Sequence, residues 1–299
     1  MIEEFLRYIQ FEKRFSPHTQ QAYAADLEQF RAYIQHTYPD VAFPDLTHFH
    51  IRAWMVFLVQ EGIAANSIRR KVSTLKSFVR FLRREGLIAH NPMTAITTPK
   101  VPKRLPVVVP AKKMNELLNT HGLDESFEAI RDRVAVELLY QTGLRRAELI
   151  ALTDAQVDLN SFTIRVLGKG NKERLIPISR SLVPLLIRYR DMRAGSFPDK
   201  QAASFMVTDK GQEMYPGYVY KLVQRFLASV PGMKKRSPHV LRHSFATHLL
   251  EAGADINAIK DLLGHTNLAA TQIYTQHNLE KLRQVYGQAH PKGGRNLTD

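Results

Sequence analysis

The sequence contains no cysteine. Disulfides, thiolate nucleophiles and cysteine-ligated zinc are therefore excluded. The absence fits a reducing cytoplasm, where disulfides are rare. No apolar run approaches the ~20 residues a membrane-spanning helix needs. Met1-Ile-Glu-Glu is not a signal-peptide start. Among twelve histidines there is no HExxH or similarly spaced helix pair, so neither a metal site nor a cofactor is expected. Internal repeats and low-complexity segments are missing too. Acid is scarce: 28 Asp and Glu stand against 42 Lys and Arg, a net charge of +14. Such a chain seeks a polyanion. Nucleic acid is the simplest, with an anionic membrane surface as the alternative.

With 299 residues, one or two domains are expected. Residues 1–97 read as all-helical. Ile2, Phe5, Leu6 and Ile9 begin an apolar stripe, and Ser16-Pro17 starts a helix carrying Tyr23, Leu27, Phe30 and Ile34. A third helix holds Ile51, Trp54, Met55 and Leu58. Asn66-Ser67 opens a fourth, with Ile68, Val72, Leu75, Phe78, Val79 and Leu82 inward. Its other face carries Arg69, Arg70, Lys71, Lys76, Arg80, Arg83 and Arg84, and no acid lies between Asn66 and Arg84. A charged face is ordinarily just solvated. Here the repulsion among like charges asks for a counter-charge, which a phosphate backbone would supply.

Residues 98–110 form a stiff connector with four prolines and the cations Lys100, Lys103 and Arg104. It is either a plain surface linker or the tether of a two-domain clamp that closes around DNA. Residues 111–299 make the second domain. Helices are expected at 111–120, 126–141, 146–152, 181–193 and 217–230. Phe162, Ile164 and Val166 alternate before a Gly168-Lys-Gly-Asn turn, and Leu175, Ile176 and Ile178 follow as a second strand. The fold class expected is mainly α: an N-terminal all-α domain plus a mostly α domain with a small antiparallel sheet.

The stretch from Ser237 to Thr275 concentrates the chemistry. Ser237-Pro238 suits a helix start, Gly253 a stop, Asp255 a second cap and Gly264 a second stop. His239 and Arg242 share a helix face, His265 follows the second stop, and Tyr274 lies nine residues later. Arginine clamps phosphate, histidine exchanges protons near neutral pH, and tyrosine can act as a covalent nucleophile. Taken singly, such a tyrosine is ordinarily core filling and such a histidine or arginine a surface group. Together they suit attack on a phosphodiester.

These residues carry a resemblance. His239-x-x-Arg242, Leu263-Gly264-His265 and Tyr274 resemble the C-terminal signature of the tyrosine recombinases, the lambda-integrase family. Thr142-Gly143-Leu144-Arg145-x-x-Glu148-Leu149 resembles their first arginine motif, and Gly168-Lys169-Gly170-Asn171-Lys172 their hairpin lysine motif. The order along the chain matches, and the N-terminal pattern is most similar to the Xer subgroup. The resemblance implies a core-DNA-binding domain at 1–97 and a catalytic domain at 111–299. It implies Tyr274 as nucleophile in a 3′-phosphotyrosine intermediate, with Arg145 and Arg242 on the scissile phosphate. Lys169 becomes the general acid; on its residues alone the turn lysine reads as solubilising, with Lys172 a competitor. His239 is a proton-transfer candidate and His265 a hydrogen-bond donor to phosphate. His243, on another side of the helix from Arg242, and His248 read as structural, and Glu148 as orienting. A last helix at 278–288, with Leu279, Leu282, Val285 and Tyr286 as its stripe, would dock on a neighbouring subunit. Double-stranded DNA, a tetramer on two sites made of one protein or with a related recombinase, and a septal DNA translocase are the partners implied. The role implied is resolution of chromosome dimers. A phage or mobile-element integrase, a type IB topoisomerase and a non-catalytic DNA-binding protein are the rival readings.

Overall fold

The computed structural model describes residues 1–99, 106–120, 124–168, 173–198, 203–264, 286–287 and 290–291. The chain divides into two compact units, Met1–Arg104 and Leu105–Asp299.

The first unit is helical. α1 (Ile2–Arg7) runs into a π-helical turn, Tyr8–Glu12. α2 (Pro17–Thr37) starts at Ser16, whose hydroxyl accepts from the Thr19 N–H. α3 spans His48–Gln60 and α4 Ala65–Arg84. α4 begins with no side-chain cap; Ala64 holds the cap position, ahead of the Asn66-Ser67 pair that the sequence offers. Phe5, Leu27, Phe30, Trp54, Leu58, Val72, Leu75 and Phe78 close the core. Phe30 and Trp54 meet edge to face at 4.9 Å, a geometry their ring quadrupoles favour. One charge is buried among them. Asp26 on α2 accepts from Thr74 Oγ1 at 2.9 Å, Lys71 Nζ at 3.0 Å and an Arg70 guanidinium nitrogen, all on α4. An unpaired buried carboxylate would be costly, so this polar lock fixes α2 against α4.

In the second unit α5 (Ala111–Thr120) is followed by α6 (Phe127–Thr142), which Ser126 caps and whose C-terminal half, from Val134 on, is buried all round. α7 (Arg146–Ile150) is short. Then β1 (Val157–Asp158), β2 (Thr163–Leu167) and β3 (Glu173–Pro177) form an antiparallel sheet in sequence order. The register pairs Leu167 with Glu173 and Val166 with Arg174. α8 (Val183–Ser196) and α9 (Pro216–Phe226) follow, and a 3-10 turn at Leu227–Ser229 ends what the pattern suggested as one helix to 230. Val207 makes only an isolated bridge, to Glu213. α10 (Pro238–Glu251) has Ser237 at its cap position, without a side-chain cap bond. α11 (Ile256–Leu263) is capped by Asp255 and ends at left-handed Gly264. α6 is the spine, packed by α8, α9 and α10. Among the described residues no helix is long and apolar enough to cross a membrane.

Candidate active site

α6 ends at Gly143, with φ +63°, a backbone conformation that glycine adopts without strain. The turn delivers Arg145 to the start of α7. From α10, Arg242 enters the same region with only 9% of its surface exposed. It donates to the Gly143 carbonyl and, at 2.6 Å, to the Leu263 carbonyl. Arg145 donates to the next carbonyl, Gly264, at 3.1 Å. Two of the arginines picked out by the sequence therefore converge on the last turn of α11, directly before His265. Burial, and then the neighbouring Arg145 charge, lower the Arg242 pKa to about 10, so it stays a cation at neutral pH.

A third arginine, which the sequence reading missed, completes the group. Arg174 on β3 donates through Nε to the Leu262 carbonyl at 3.0 Å. Three consecutive carbonyls of the α11 terminus are thus held by three different arginines, where the helix dipole places partial negative charge. Glu148 links two of them. Its carboxylate takes a parallel pair from Arg174 at 2.9 and 2.8 Å, Arg145 Nη1 at 2.8 Å and the Arg145 backbone N–H at 2.7 Å. Burial alone would raise its pKa. The Arg174 and Arg145 contacts outweigh that and hold it at about 2. The signal for Arg174 was present in the strand period: two residues from inward-facing Ile176, a cation occupies a buried position.

His239 lies at the solvent edge of α10, one turn before Arg242. Burial, then the His243 charge, then Arg146, Arg242 and Lys235 lower its pKa below the ordinary 6.5. It is therefore neutral at pH 7 and able to accept a proton. His243 is exposed, whereas Arg242 is buried. Four residues from His239, His243 shares that exposed face, and so it acts on the proposed proton acceptor. His248 is buried, with Nδ1 2.9 Å from the Tyr140 hydroxyl. Lys169, His265 and Tyr274, together with Lys100, Lys103 and Arg104 of the connector, lie outside the described residues.

In the first unit, α4 presents Arg69, Lys76, Arg80 and Arg83 exposed, and among the described residues no carboxylate pairs with them. An open groove of about 460 Å³ runs past Lys76, Arg80, Arg83, Arg84 and Asn91. Arg70 and Lys71 differ. The sequence reading sought their counter-charge in phosphate, whereas Asp26 supplies it from within the unit. Arg84 pairs with Glu85 and Glu12 and lies 4.1 Å over the Tyr8 ring.

Of the stripe assigned to a last helix, only Tyr286 is described. It is buried in its own unit: its hydroxyl donates to Gln141 Oε1 at 3.0 Å, and its ring stacks on His290 at 4.9 Å. Ser179 donates to the same Gln141 oxygen at 2.8 Å. Leu279, Leu282 and Val285 lie outside the described residues. Among the described residues no group of three or more acidic or histidine side chains is arranged to hold a metal ion.

Comparison with known proteins places this geometry. Residues 108–281 match the phage integrase family, and residues 2–86 match the N-terminal SAM-like domain of phage integrases. The chain is 37% identical to the tyrosine recombinase XerD of Staphylococcus haemolyticus, over 98% of this chain and 99% of that protein. It is also 37% identical to the tyrosine recombinase XerC of Pelobacter propionicus, over 97% and 95%. The integrase of the Tn1549 transposon, solved with circular intermediate DNA, has the same fold with a TM-score of 0.69 at 21% identity, covering 94% of this chain and 97% of that one. Two arginine motifs folded onto one helix end, in a chain similar along nearly its whole length to these enzymes, have one reading: the chain belongs to the phage integrase family of site-specific tyrosine recombinases.

Proposed function

We propose that the enzyme cuts and rejoins double-stranded DNA through a 3′-phosphotyrosine formed on Tyr274, and that its cellular task is the resolution of chromosome dimers. The observation that carries the chemistry is the convergence of Arg145 and Arg242 on the adjacent carbonyls of Gly264 and Leu263. Two permanent cations are gathered where His265 begins, and phosphoryl transfer needs charge stabilisation there. The Tyr274 oxygen attacks the scissile phosphorus, and the 5′-oxygen leaves with a proton from Lys169. His239, neutral at pH 7, receives the tyrosine proton, and His265 hydrogen-bonds the phosphate. One phosphoester replaces another, so no nucleotide hydrolysis is required, and religation reverses the step with another 5′-hydroxyl. Arg69, Lys76, Arg80 and Arg83 would track the DNA backbone, joined by Lys100, Lys103 and Arg104. Arg70, Lys71 and Arg84 would contribute less, because they already have acidic partners. A tetramer on two sites, alone or with a related recombinase, carries out the exchange in the cytoplasm. A septal translocase is the regulatory partner.

The relatives' Xer names support this task over that of a mobile-element integrase. The test is to lyse cells in denaturant without crosslinker and sequence the DNA that stays attached to the protein. A single peak near the replication terminus, with the tyrosine peptide on a DNA 3′ end, is expected. Peaks at element ends would favour an integrase. Tyr274→Phe should abolish the adduct while leaving DNA affinity within about twofold, because only a hydroxyl is lost; an adduct in that variant would mean another nucleophile.

A further inference from the structure

We propose that Arg174 is a positioning residue for strand cleavage, acting on the scissile phosphate through Glu148 and Arg145. The proposal rests on the reading of Arg145 as a phosphate clamp.

Arg174 is only 4% exposed, so its charge does not serve DNA directly. All three of its nitrogens are used inside the unit: Nε on Leu262, Nη1 and Nη2 on Glu148. Glu148 in turn takes both the side chain and the backbone N–H of Arg145. Arg145 is 35% exposed and rotatable in isolation. Pinned by a carboxylate that is itself held by a parallel pair, it has one geometry available. A guanidinium must be aimed before charge develops if it is to stabilise a transition state. The Leu262 bond ties the same arginine to the helix end that leads into His265. Gly264 leaves room for this: a Cβ there would lie 3.1 Å from Arg174 Nη1 and 3.3 Å from its Cδ. Lysine could keep the charge of Arg174 but not three directed bonds at once.

The experiment uses the full-length enzyme and a nicked duplex carrying the site recovered as above. Single-turnover cleavage, DNA affinity and thermal melting are measured for Arg174→Lys, Glu148→Gln, Arg145→Ala and the pairwise combinations with Arg145→Ala. Cleavage by Arg174→Lys should slow by about 10- to 100-fold, the scale of a small misplacement at a reacting centre. DNA affinity should stay within about threefold, since no DNA-facing charge is lost. In the Arg145→Ala background the same substitution should slow cleavage by less than about threefold, because its target is gone. Glu148→Gln should behave the same way, and it carries the test if Arg174→Lys does not fold. Losses that multiply with Arg145→Ala would overturn the proposal and leave Arg174 a packing residue. So would wild-type cleavage by Arg174→Lys beside a large loss in Arg145→Ala. Wild-type cleavage by Arg145→Ala would instead take down the phosphate-clamp reading, and with it this one.

Discussion

A Cβ placed on Gly143 would stand 2.6 Å from Cδ1 of Phe245 on the neighbouring α10. Leu263 Cδ2 would be 2.9 Å away. Gly143 is therefore needed twice, for its left-handed backbone and for the close approach of α6, α10 and α11. Its carbonyl also receives Arg242. Gly143→Ala should destabilise the catalytic unit by about 2–4 kcal/mol, combining strain with overpacking. Cleavage should fall beyond what the loss of folded protein explains, as Arg242 loses its anchor. Gly143→Ala combined with Phe245→Leu should recover part of the stability. Denaturant melts of the two variants decide it, and an Ala variant as stable as wild type contradicts the packing described.

The Asp26 lock makes a different kind of prediction. Asp26→Asn leaves Lys71, whose side chain is only 12% exposed, without its counter-charge. Stability should drop by about 2–3 kcal/mol, less than for a fully buried pair because Arg70 is partly solvated. DNA affinity at fixed salt should not fall, because the change frees cations on α4. A loss of affinity in folded protein would show that Arg70 and Lys71 must be held by Asp26 to meet DNA.

Salt should separate the two classes of cation on α4. Affinity is expected to fall with a log–log slope of roughly −5 or steeper. Changing Arg69, Lys76, Arg80 and Arg83 together to Ala should flatten the slope by about 3. Changing Arg70 and Lys71 should flatten it less. Equal effects per residue would mean the Asp26 pairing breaks on binding.

The pH profile tests His239. As a proton acceptor it works only when neutral, so cleavage should fall as pH drops through its pKa. Burial and the His243 charge depress that pKa, which places the inflection below 6.5. Removing the second cause with His243→Asn should move the inflection upward. A wild-type inflection above 6.5, or one that ignores His243, would assign the limb to another group.

Much of this was legible beforehand because it is written in local patterns. Helical spacing and caps announced α2, α5, α6 and α10 to within a few residues, and alternation with a glycine turn announced β2 and β3. Arg145 and Arg242 were legible through their motifs. Two other features were not, because each is a matter of tertiary pairing. Asp26 meets Lys71 across two helices. Strand period marks Arg174 as a buried cation, but its partners, the Leu262 carbonyl and Glu148, show only when β3 is laid against the end of α11. His243 is a local case instead: its four-residue step to His239 is readable from helix spacing, and it bears on His239 rather than on Arg242.

α11 has a consequence for how the enzyme comes into being. Eight residues are too few for a helix to persist alone, since isolated helices shorter than ~12–15 residues are marginal. Its closing carbonyls are held by Arg145, Arg174 and Arg242, which come from α7's start, β3 and α10. During folding, none of these anchors is available until the elements bearing them have docked. Among the described elements of its unit, α11 should therefore form last and open first. Its amides should exchange with solvent faster than those of α6, even though Ile259 and Leu262 are buried as deeply as much of the core. The chain that continues to His265 and Tyr274, the residues proposed for the chemistry, is thus attached to the element that should mature latest among those described.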